Sequence, residues 1–165
     1  MAILKICKYP EPVLKKRTLE VKKVSEADKR LIEDMIETMK ASGGVGLAAN
    51  QVGISKRIFV FNPSEEDWRA DALINPVIIK RRISEKTEEG CLSLPGITAE
   101  VRRYKYVLVE GLDIDGRHVR FEAKGLLARI IQHEVDHLDG KLFIDRLNPL
   151  RRMMSLRRFA KEGAG

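Results

Sequence analysis

Two histidines that stand four residues apart in an apolar segment constrain this chain more than any other feature. His133 and His137 flank Glu134, and the residues just before them are largely apolar: Leu126, Leu127, Ile130 and Ile131. On a helix, residues four apart lie one turn above each other, so both imidazoles can bind one metal ion while Glu134 reaches a water on it. The sequence therefore predicts a buried metal-binding helix over residues 125–139, ended by Gly140.

Two histidines do not complete a catalytic metal site, which usually has three protein ligands and one open position. Metallopeptidases with this helical motif take their third ligand downstream, but position 143 is Phe and the only acid far downstream is Glu162. The third ligand is therefore expected upstream, among Cys91, His118 and several carboxylates. A thiolate with two imidazoles suits a borderline divalent cation, and Cys91 is expected in an exposed turn near a strand end. His118 is expected to be a solvated side chain on an exposed strand.

The rest of the pattern predicts a single α+β domain. Apolar residues at helical spacing predict an N-terminal helix over 25–39 with Ser25 as its cap, and a basic helix is predicted over 149–160. Strands are predicted at 57–61 and at 72–79, with breaks at Asn62-Pro63 and Asn75-Pro76, and in a hairpin over 104–123 that turns at Asp115-Gly116. We expect mixed or antiparallel sheets around a central metal-binding helix, with one helix at each end.

The charge of the chain is concentrated at its C-terminal end. The net charge is +7, yet residues 146–165 alone carry six basic residues and one acid, Glu162, so the body is nearly balanced. Charge therefore gives no argument for sequence-specific nucleic-acid binding by the body.

The composition also limits the compartment. No apolar run approaches the ~20 residues that span a bilayer, no secretion leader is evident, and two cysteines make no disulfide scaffold. We expect a soluble cytoplasmic protein without a membrane partner, in which Cys7 is structural or incidental.

Three ordered motifs resemble the peptide deformylase family. They are G-apolar-G-L-A-A-x-Q at 44–51, E-G-C-L-S at 89–93 and H-E-x-D-H at 133–137. The resemblance extends from the first helix to Leu147. It implies a catalytic domain over residues 1–147, with residues 148–165 as a basic helical extension of the same domain.

The resemblance implies a hydrolase that releases formate from the N-formylmethionine of newly made polypeptides. It implies one divalent metal ion, typically Fe(II) and replaceable by Zn, Ni or Co, with a water in the fourth position. Glu134 would be the general base and then the acid, and the Leu92 backbone N–H and the Gln51 amide would stabilise the oxyanion. The implied metal ligands are Cys91, His133 and His137.

The resemblance also implies where the peptide binds. Leu126 and Ile130 continue the metal-binding face of the helix and, with Val45, can line a pocket for methionine. Core packing is the alternative for Ile130. The expected backbone partners of an extended peptide are those of Val45, Gly46 and Gly90.

Two further expectations concern side chains near the metal helix. Asp136 lies on a different face from the histidines and is expected to be an anchor, with Arg103 as its candidate partner. Arg129 is expected near the rim of the pocket.

Two other functions remain open from the sequence. One is a metallopeptidase, disfavoured by the missing downstream ligand. The other is a ribosome-binding or nucleic-acid-binding module with a structural metal, although structural zinc sites normally have four protein ligands. Within the leading hypothesis, the basic helix is expected to dock on the anionic ribosome surface, with a solvated end as the alternative. The basic residues of this C-terminal tail, expected in a helix, are Arg146, Arg151, Arg152, Arg157, Arg158 and Lys161.

Overall fold

One five-stranded antiparallel sheet organises the computed structural model, which describes residues 2–64 and 66–163. Each strand is hydrogen-bonded to the next along the chain, in the order β1 to β5. The predicted α+β class is confirmed, with the five strands in one sheet. The strands are β1 (Gly46–Ala48), β2 (Ile58–Phe61), β3 (Asp71–Cys91), β4 (Leu94–Leu112) and β5 (His118–Lys124).

The three predicted α-helices are present within a few residues of their predicted bounds. They are α1 (Glu26–Ala41), α2 (Leu126–Leu138) and α3 (Pro149–Gly163), and short 3-10 helices lie at Pro12–Lys15, Ala49–Val52 and Phe143–Arg146. Ser25 caps α1 as expected: its hydroxyl accepts from the Asp28 backbone N–H at 3.2 Å, and the Asp28 carboxylate accepts from the Ser25 N–H at 2.9 Å. This capping box satisfies two groups at the helix start. None of the described helices is both long and apolar enough to cross a membrane.

The strand predicted at 72–79 is much longer, and the predicted break at Asn75-Pro76 is wrong. The pairing of β3 with β4 shifts register between Ile74 and Val77, where Asn75 has a φ of 51°, and then continues to Cys91. Asn tolerates this left-handed backbone, and the Asn75 side chain also bonds both backbone groups of Val21, at 2.8 and 2.9 Å. Cys91 therefore lies at the tip of a long hairpin formed by β3 and β4.

The turn that follows Cys91 is less exposed than the sequence predicts. Cys91 itself is half-buried, and Ser93 and Leu94, which close the turn, are 0% and 1% exposed. The reason is that Leu94 and Ile97 pack into an apolar cluster with Phe143 and Leu147. The tip of the hairpin is thus part of the core.

Helix α2 is central, as predicted. Ala128, Ile131 and Leu138 are fully buried and pack against residues of the sheet such as Phe59 and Val109. A second cluster lies between α1 and the sheet, where Ile32, Met35 and Met39 are fully buried. Because its apolar stripe packs on the sheet, α2 presents its histidine face toward β1 and the hairpin tip.

Helix α3 packs against the hairpin, and two of the basic residues assigned to it form internal ion pairs. Phe159 contacts the Tyr9 ring with centroids 5.9 Å apart. Arg146 lies in the preceding 3-10 helix and donates to Asp136 at 2.6 Å, and Arg152 donates to Asp145 at 3.0 Å. The prediction that Arg146 belongs to the C-terminal helix is therefore wrong, because Arg146 lies before that helix and its guanidinium is held against α2.

Candidate metal centre

The third predicted ligand is brought to the two histidines by the β3–β4 hairpin. Cys91 Sγ lies 3.2 Å from His137 Nε2, and the Nε2 atoms of His137 and His133 lie 3.1 Å apart. All three donor atoms fall within 4.8 Å of one another. Within the described part of the chain, no other three such donors lie this close together. His118, the other upstream candidate, is 64% exposed on β5, as a solvated side chain would be.

The donor set fits one divalent cation. Tetrahedral ligands at about 2.0–2.3 Å from a metal stand about 3.3–3.7 Å from one another. The observed distances of 3.1 and 3.2 Å are close to that spacing. One thiolate and two imidazoles leave the fourth tetrahedral position without a protein ligand, which is the arrangement of catalytic rather than structural sites.

Burial and neighbouring groups shift the pKa values of the two imidazoles in opposite directions. Burial lowers the pKa of His137 well below its ordinary value, and His133 and Arg103 add to this effect. Burial opposes the charge of His133 too, but hydrogen bonds with Cys91 and Glu89 outweigh it and raise its pKa well above the ordinary value. His137 is therefore a neutral ligand, whereas a cation would displace a proton from His133.

A carboxylate on β3 orients His133. Glu89 Oε1 accepts from His133 Nδ1 at 2.8 Å, which leaves Nε2 directed at the other donors. Burial opposes the charge of Glu89, but hydrogen bonds from Arg103 and His133 lower its pKa to about 2. Such a partner selects the tautomer of a metal-binding histidine and holds the ring.

Arg103 on β4 joins this carboxylate to the metal helix. Its Nε and Nη2 donate to Glu89 at 2.6 and 2.8 Å, and its Nη1 donates to Asp136 at 2.6 Å. The expected contact between Arg103 and Asp136 is thus present. Asp136 also accepts from Arg146 at 2.6 and 3.0 Å. The hairpin, α2 and the segment after it are therefore connected by ion pairs beside the three donors, and those of Arg103 are buried.

Glu134 faces the cleft from α2 and is 3% exposed. Its Oε2 is buried without a hydrogen-bond partner among the described residues. Burial raises the pKa of this carboxyl to about 7, and the nearby Glu89 adds to the rise, while His133 and Arg103 oppose it. A buried, unpartnered carboxyl of this kind is suited to accepting a proton near neutral pH.

Gly46 makes room for Glu134. A Cβ on Gly46 would lie 2.6 Å from Glu134 Oε1, closer than real side chains approach. Gly46 begins β1, so the glycine in the first motif permits the close approach of β1 to α2.

Gln51 is held with its amide directed at the donor cluster. Its Oε1 accepts from the Ala48 backbone N–H at 3.0 Å, which fixes the orientation of the side chain. Its Nε2 then lies 3.1 Å from Ser93 Oγ and 3.5 Å from Cys91 Sγ. Leu92 lies in the turn next to Cys91 and lines the same cleft. The two predicted oxyanion donors therefore flank the thiol.

Nearly all of the predicted site residues line one cleft of about 490 Å³. Val45, Gly90 and Leu126 line it, and Ile130 serves both roles considered for it, because it lines the cleft and packs in the core. His137 is fully buried and is not among the lining residues. The other predicted residues that line the cleft are Gly46, Gln51, Cys91, Leu92, His133 and Glu134.

Sequence reasoning missed the contributions of Glu89 and Ser93. Glu89 belongs to the second motif, and a signal for it existed: residues two apart on a strand point to the same face, so Glu89 accompanies Cys91. Ser93 has no comparable signal, because its contact with Gln51 depends on how the turn packs.

Comparison with known proteins agrees with the geometry. The polypeptide deformylase family model matches residues 3–153. The peptide deformylase of Thermodesulfovibrio yellowstonii is 47% identical over 161 residues, which are 96% of this chain and 98% of the relative. That of Syntrophobacter fumaroxidans is 45% identical over 164 residues, which are 98% of this chain and 96% of the relative.

Solved structures agree over similar lengths. A peptide deformylase from Legionella pneumophila has a TM-score of 0.93 at 40% identity, covering 99% of this chain and 96% of that one. A peptide deformylase from Ehrlichia chaffeensis in complex with actinonin has a TM-score of 0.93 at 38% identity, covering 98% of both chains. The chain therefore belongs to the polypeptide deformylase family.

Proposed function

We propose that this cleft hydrolyses the formyl amide at the N-terminus of newly made polypeptides, leaving formate and a free methionine amine. Membership of the deformylase family supports this reaction. The single observation that carries it is the buried, unpartnered Glu134 carboxylate beside a three-donor cluster that lacks a fourth protein ligand. That arrangement supplies a base next to an open coordination position.

Cys91, His133 and His137 would hold the ion. A divalent cation there would lower the pKa of a water toward 7 and polarise the formyl carbonyl. Glu134 takes the proton of the attacking water and delivers it to the leaving amine, and a pKa of about 7 suits both transfers.

Gln51 Nε2 and the Leu92 backbone N–H would stabilise the negative charge that develops on the formyl oxygen. The fixed Gln51 amide and the position of Leu92 in the Cys91 turn support this role. A donor of this type typically contributes about 3–4 kcal/mol to transition-state stability.

The methionine side chain would enter between Val45, Leu126 and Ile130, all of which line the cleft. The peptide backbone would bond the backbones of Val45, Gly46 and Gly90 as an added strand, since β1 and the end of β3 face each other across the cleft.

The family and the donor cluster indicate a single metal ion. We infer that the ion in the cell is Fe(II), and that Zn, Ni or Co can replace it, because a thiolate with two imidazoles suits several borderline cations. Anaerobic purification with metal analysis, followed by reconstitution with each ion, tests this assignment.

The mechanism is tested by Glu134→Gln, which keeps the size of the side chain and removes the base. We expect metal content to be unchanged and formate release from formyl-Met-Ala-Ser to fall at least about 100-fold. Glu88→Gln is the matched control, because Glu88 is an exposed carboxylate that lines the same cleft. Parental turnover in the metal-loaded Glu134→Gln variant would contradict the mechanism.

We further propose that α3, as a basic extension of the catalytic domain, docks the enzyme on the ribosome in the cytoplasm. Arg151 and Arg158 line a groove of about 230 Å³ between α3 and β4, and such side chains suit phosphate groups. Replacing Arg151, Arg157 and Arg158 together with Gln should weaken ribosome co-sedimentation at low salt and spare turnover of free peptide. Undiminished co-sedimentation would return α3 to a purely structural role.

A further inference from the structure

We propose that Arg129 is a specificity-determining residue that binds an acidic side chain of the peptide substrate. The proposal rests on the proposed function, because it assigns a substrate preference to the same cleft. The chemistry at issue is recognition of a carboxylate by a guanidinium.

Arg129 belongs to the wall of the cleft. It lies on α2, four residues and one helical turn before His133, and it lines the cleft with Leu126 and Ile130. One turn of helix is about 5.4 Å, so its side chain starts beside the site proposed for the first residue of the peptide. It is also the one arginine or lysine that lines this cleft in the described part of the chain.

Arg129 differs from the other enclosed arginines because no carboxylate of the described residues pairs with it. Four arginines in residues 2–64 and 66–163 are buried or half-buried, and three of them bind a carboxylate of the protein. These are Arg57 with Asp139 at 3.0 Å, Arg103 with Glu89 at 2.6 Å and Arg152 with Asp145 at 3.0 Å. Arg129 is the fourth, and its Nε is buried without a partner among the described residues.

Two of the three carboxylates that line the cleft are bonded elsewhere, and the third, Glu134, forms no hydrogen bond with Arg129 among the described residues. Glu89 is bonded to Arg103 and His133, and Glu88 accepts from the Thr98 hydroxyl at 2.8 Å. A buried N–H without an acceptor is costly, so a ligand that supplies one is favoured. A carboxylate fits best, because the planar guanidinium can donate two parallel hydrogen bonds to it.

The peptide can bring such a carboxylate to Arg129. Successive side chains of an extended peptide point to opposite faces, so the second and third residues sample both sides of the cleft mouth. The preference is therefore expected at one of these two positions. The other carboxylate that reaches the cleft is the formate product, and the experiment separates the two sources.

The experiment compares C-terminally amidated peptides, so that no terminal carboxylate interferes. The kcat/KM of metal-loaded enzyme is measured for formyl-Met-Glu-Ser against formyl-Met-Gln-Ser, and for formyl-Met-Ser-Glu against formyl-Met-Ser-Gln. The proteins are the parent, Arg129→Leu, Arg129→Lys and the control Arg120→Gln, which removes an exposed cation on β5. The Glu/Gln ratio is taken within each protein, so a general loss of turnover cancels.

We expect the parent to prefer Glu about three- to tenfold at one position in low salt, and less in 0.5 M salt. The ratio should fall to about one or below in Arg129→Leu, persist in part in Arg129→Lys and be unchanged in Arg120→Gln. A parental ratio near one at both positions, or an unchanged ratio in Arg129→Leu, would overturn the proposal.

Inhibition by added formate tests whether Arg129 binds the formate product and not an acidic side chain of the peptide. Weaker formate inhibition in Arg129→Leu without any change in the Glu/Gln ratio would assign Arg129 to the product and overturn the proposal. Turnover of formyl-Met-Ala-Ser amide by the parent tests the function itself. Its absence would count against the proposed function, whereas normal turnover without a Glu preference counts against the role of Arg129 alone.

Discussion

Replacing Glu89 with Gln tests whether the carboxylate behind His133 is needed to hold the metal centre. Glu89 accepts three hydrogen bonds, from Arg103 Nε and Nη2 at 2.6 and 2.8 Å and from His133 Nδ1 at 2.8 Å. The side chains of Arg103 and Glu89 are 3% and 9% exposed, so water replaces little of what is lost. The substitution keeps the shape and removes the charge.

The expected loss has two parts. A Gln amide offers one acceptor oxygen, and its NH₂ group faces donors, so about two of the three charge-assisted bonds are lost. Breaking a buried ion pair costs about 3–5 kcal/mol, and we expect about 3 because Asp136 still neutralises Arg103 at 2.6 Å. Loss of a partner that orients a metal-binding histidine weakens metal affinity about 10- to 100-fold. At saturating metal, that adds about 1.4–2.7 kcal/mol to the loss of stability.

The assay combines urea unfolding of the metal-loaded protein with chelator competition for metal affinity. We expect Glu89→Gln to lower the free energy of unfolding by about 4–6 kcal/mol in total, a large part of the 5–15 kcal/mol typical of a domain.

Glu88→Gln is the matched control, because successive residues of a strand alternate between its faces. Among the described residues, the Glu88 carboxylate accepts one hydrogen bond, from the Thr98 hydroxyl at 2.8 Å. Its effect should stay within about 0.5 kcal/mol. An unfolding free energy of Glu89→Gln within about 1 kcal/mol of the parent, with metal affinity unchanged, would refute the reasoning.

Three further substitutions test neighbouring parts of the structure. Gly46→Ala places a Cβ 2.6 Å from a Glu134 oxygen, so kcat for formate release should fall at least about tenfold while the fold is retained by circular dichroism. Burial opposes the charge of Asp28, but hydrogen bonds from Lys56 and Ser25 outweigh it and lower its pKa, so it stabilises the fold above about pH 4 and less as the pH falls. Asp28→Asn should therefore cost about 1 kcal/mol in urea unfolding at pH 7 and less at pH 3; an equal cost at both would contradict this sign. Asp136→Asn should lower the unfolding free energy by about 3 kcal/mol and change kcat of the metal-loaded enzyme less than about threefold; unchanged stability and metal content with a large loss of kcat would contradict the anchoring role.

The ion pairs around Arg103 also connect the metal centre to the segment that follows α2. Asp136 lies between the two histidines in sequence, yet its carboxylate is directed away from them, toward Arg103 on β4 and Arg146 after α2. A perturbation of the segment after α2 can therefore reach Glu89, the partner of His133, through three ion pairs: Arg146–Asp136, Asp136–Arg103 and Arg103–Glu89. We therefore expect such a perturbation to weaken metal binding before it slows the chemical step.

Local patterns in the sequence determined the helices and the chemistry of the site. The helical spacing of His133 and His137, the cap at Ser25 and the hairpin turn at Asp115-Gly116 depend on residues a few positions apart. Interactions of this range are the same in most folds, so they can be predicted without the tertiary structure. The three ordered motifs predicted the chemical groups of the site, because together they contain the thiol, the two imidazoles and the base.

Tertiary structure alone decided which distant groups meet. The continuation of β3 through Asn75, the contact of Arg103 with Glu89 and the removal of Arg146 from the basic helix each depend on partners 10 or more residues away. A charged residue has the same appearance in the sequence whether it is solvated or paired, because its partner is chosen by packing and not by its neighbours. For the same reason, only the fold shows that Arg129 differs from the other three enclosed arginines. Those three bind carboxylates of the protein, whereas Arg129 lines the open cleft.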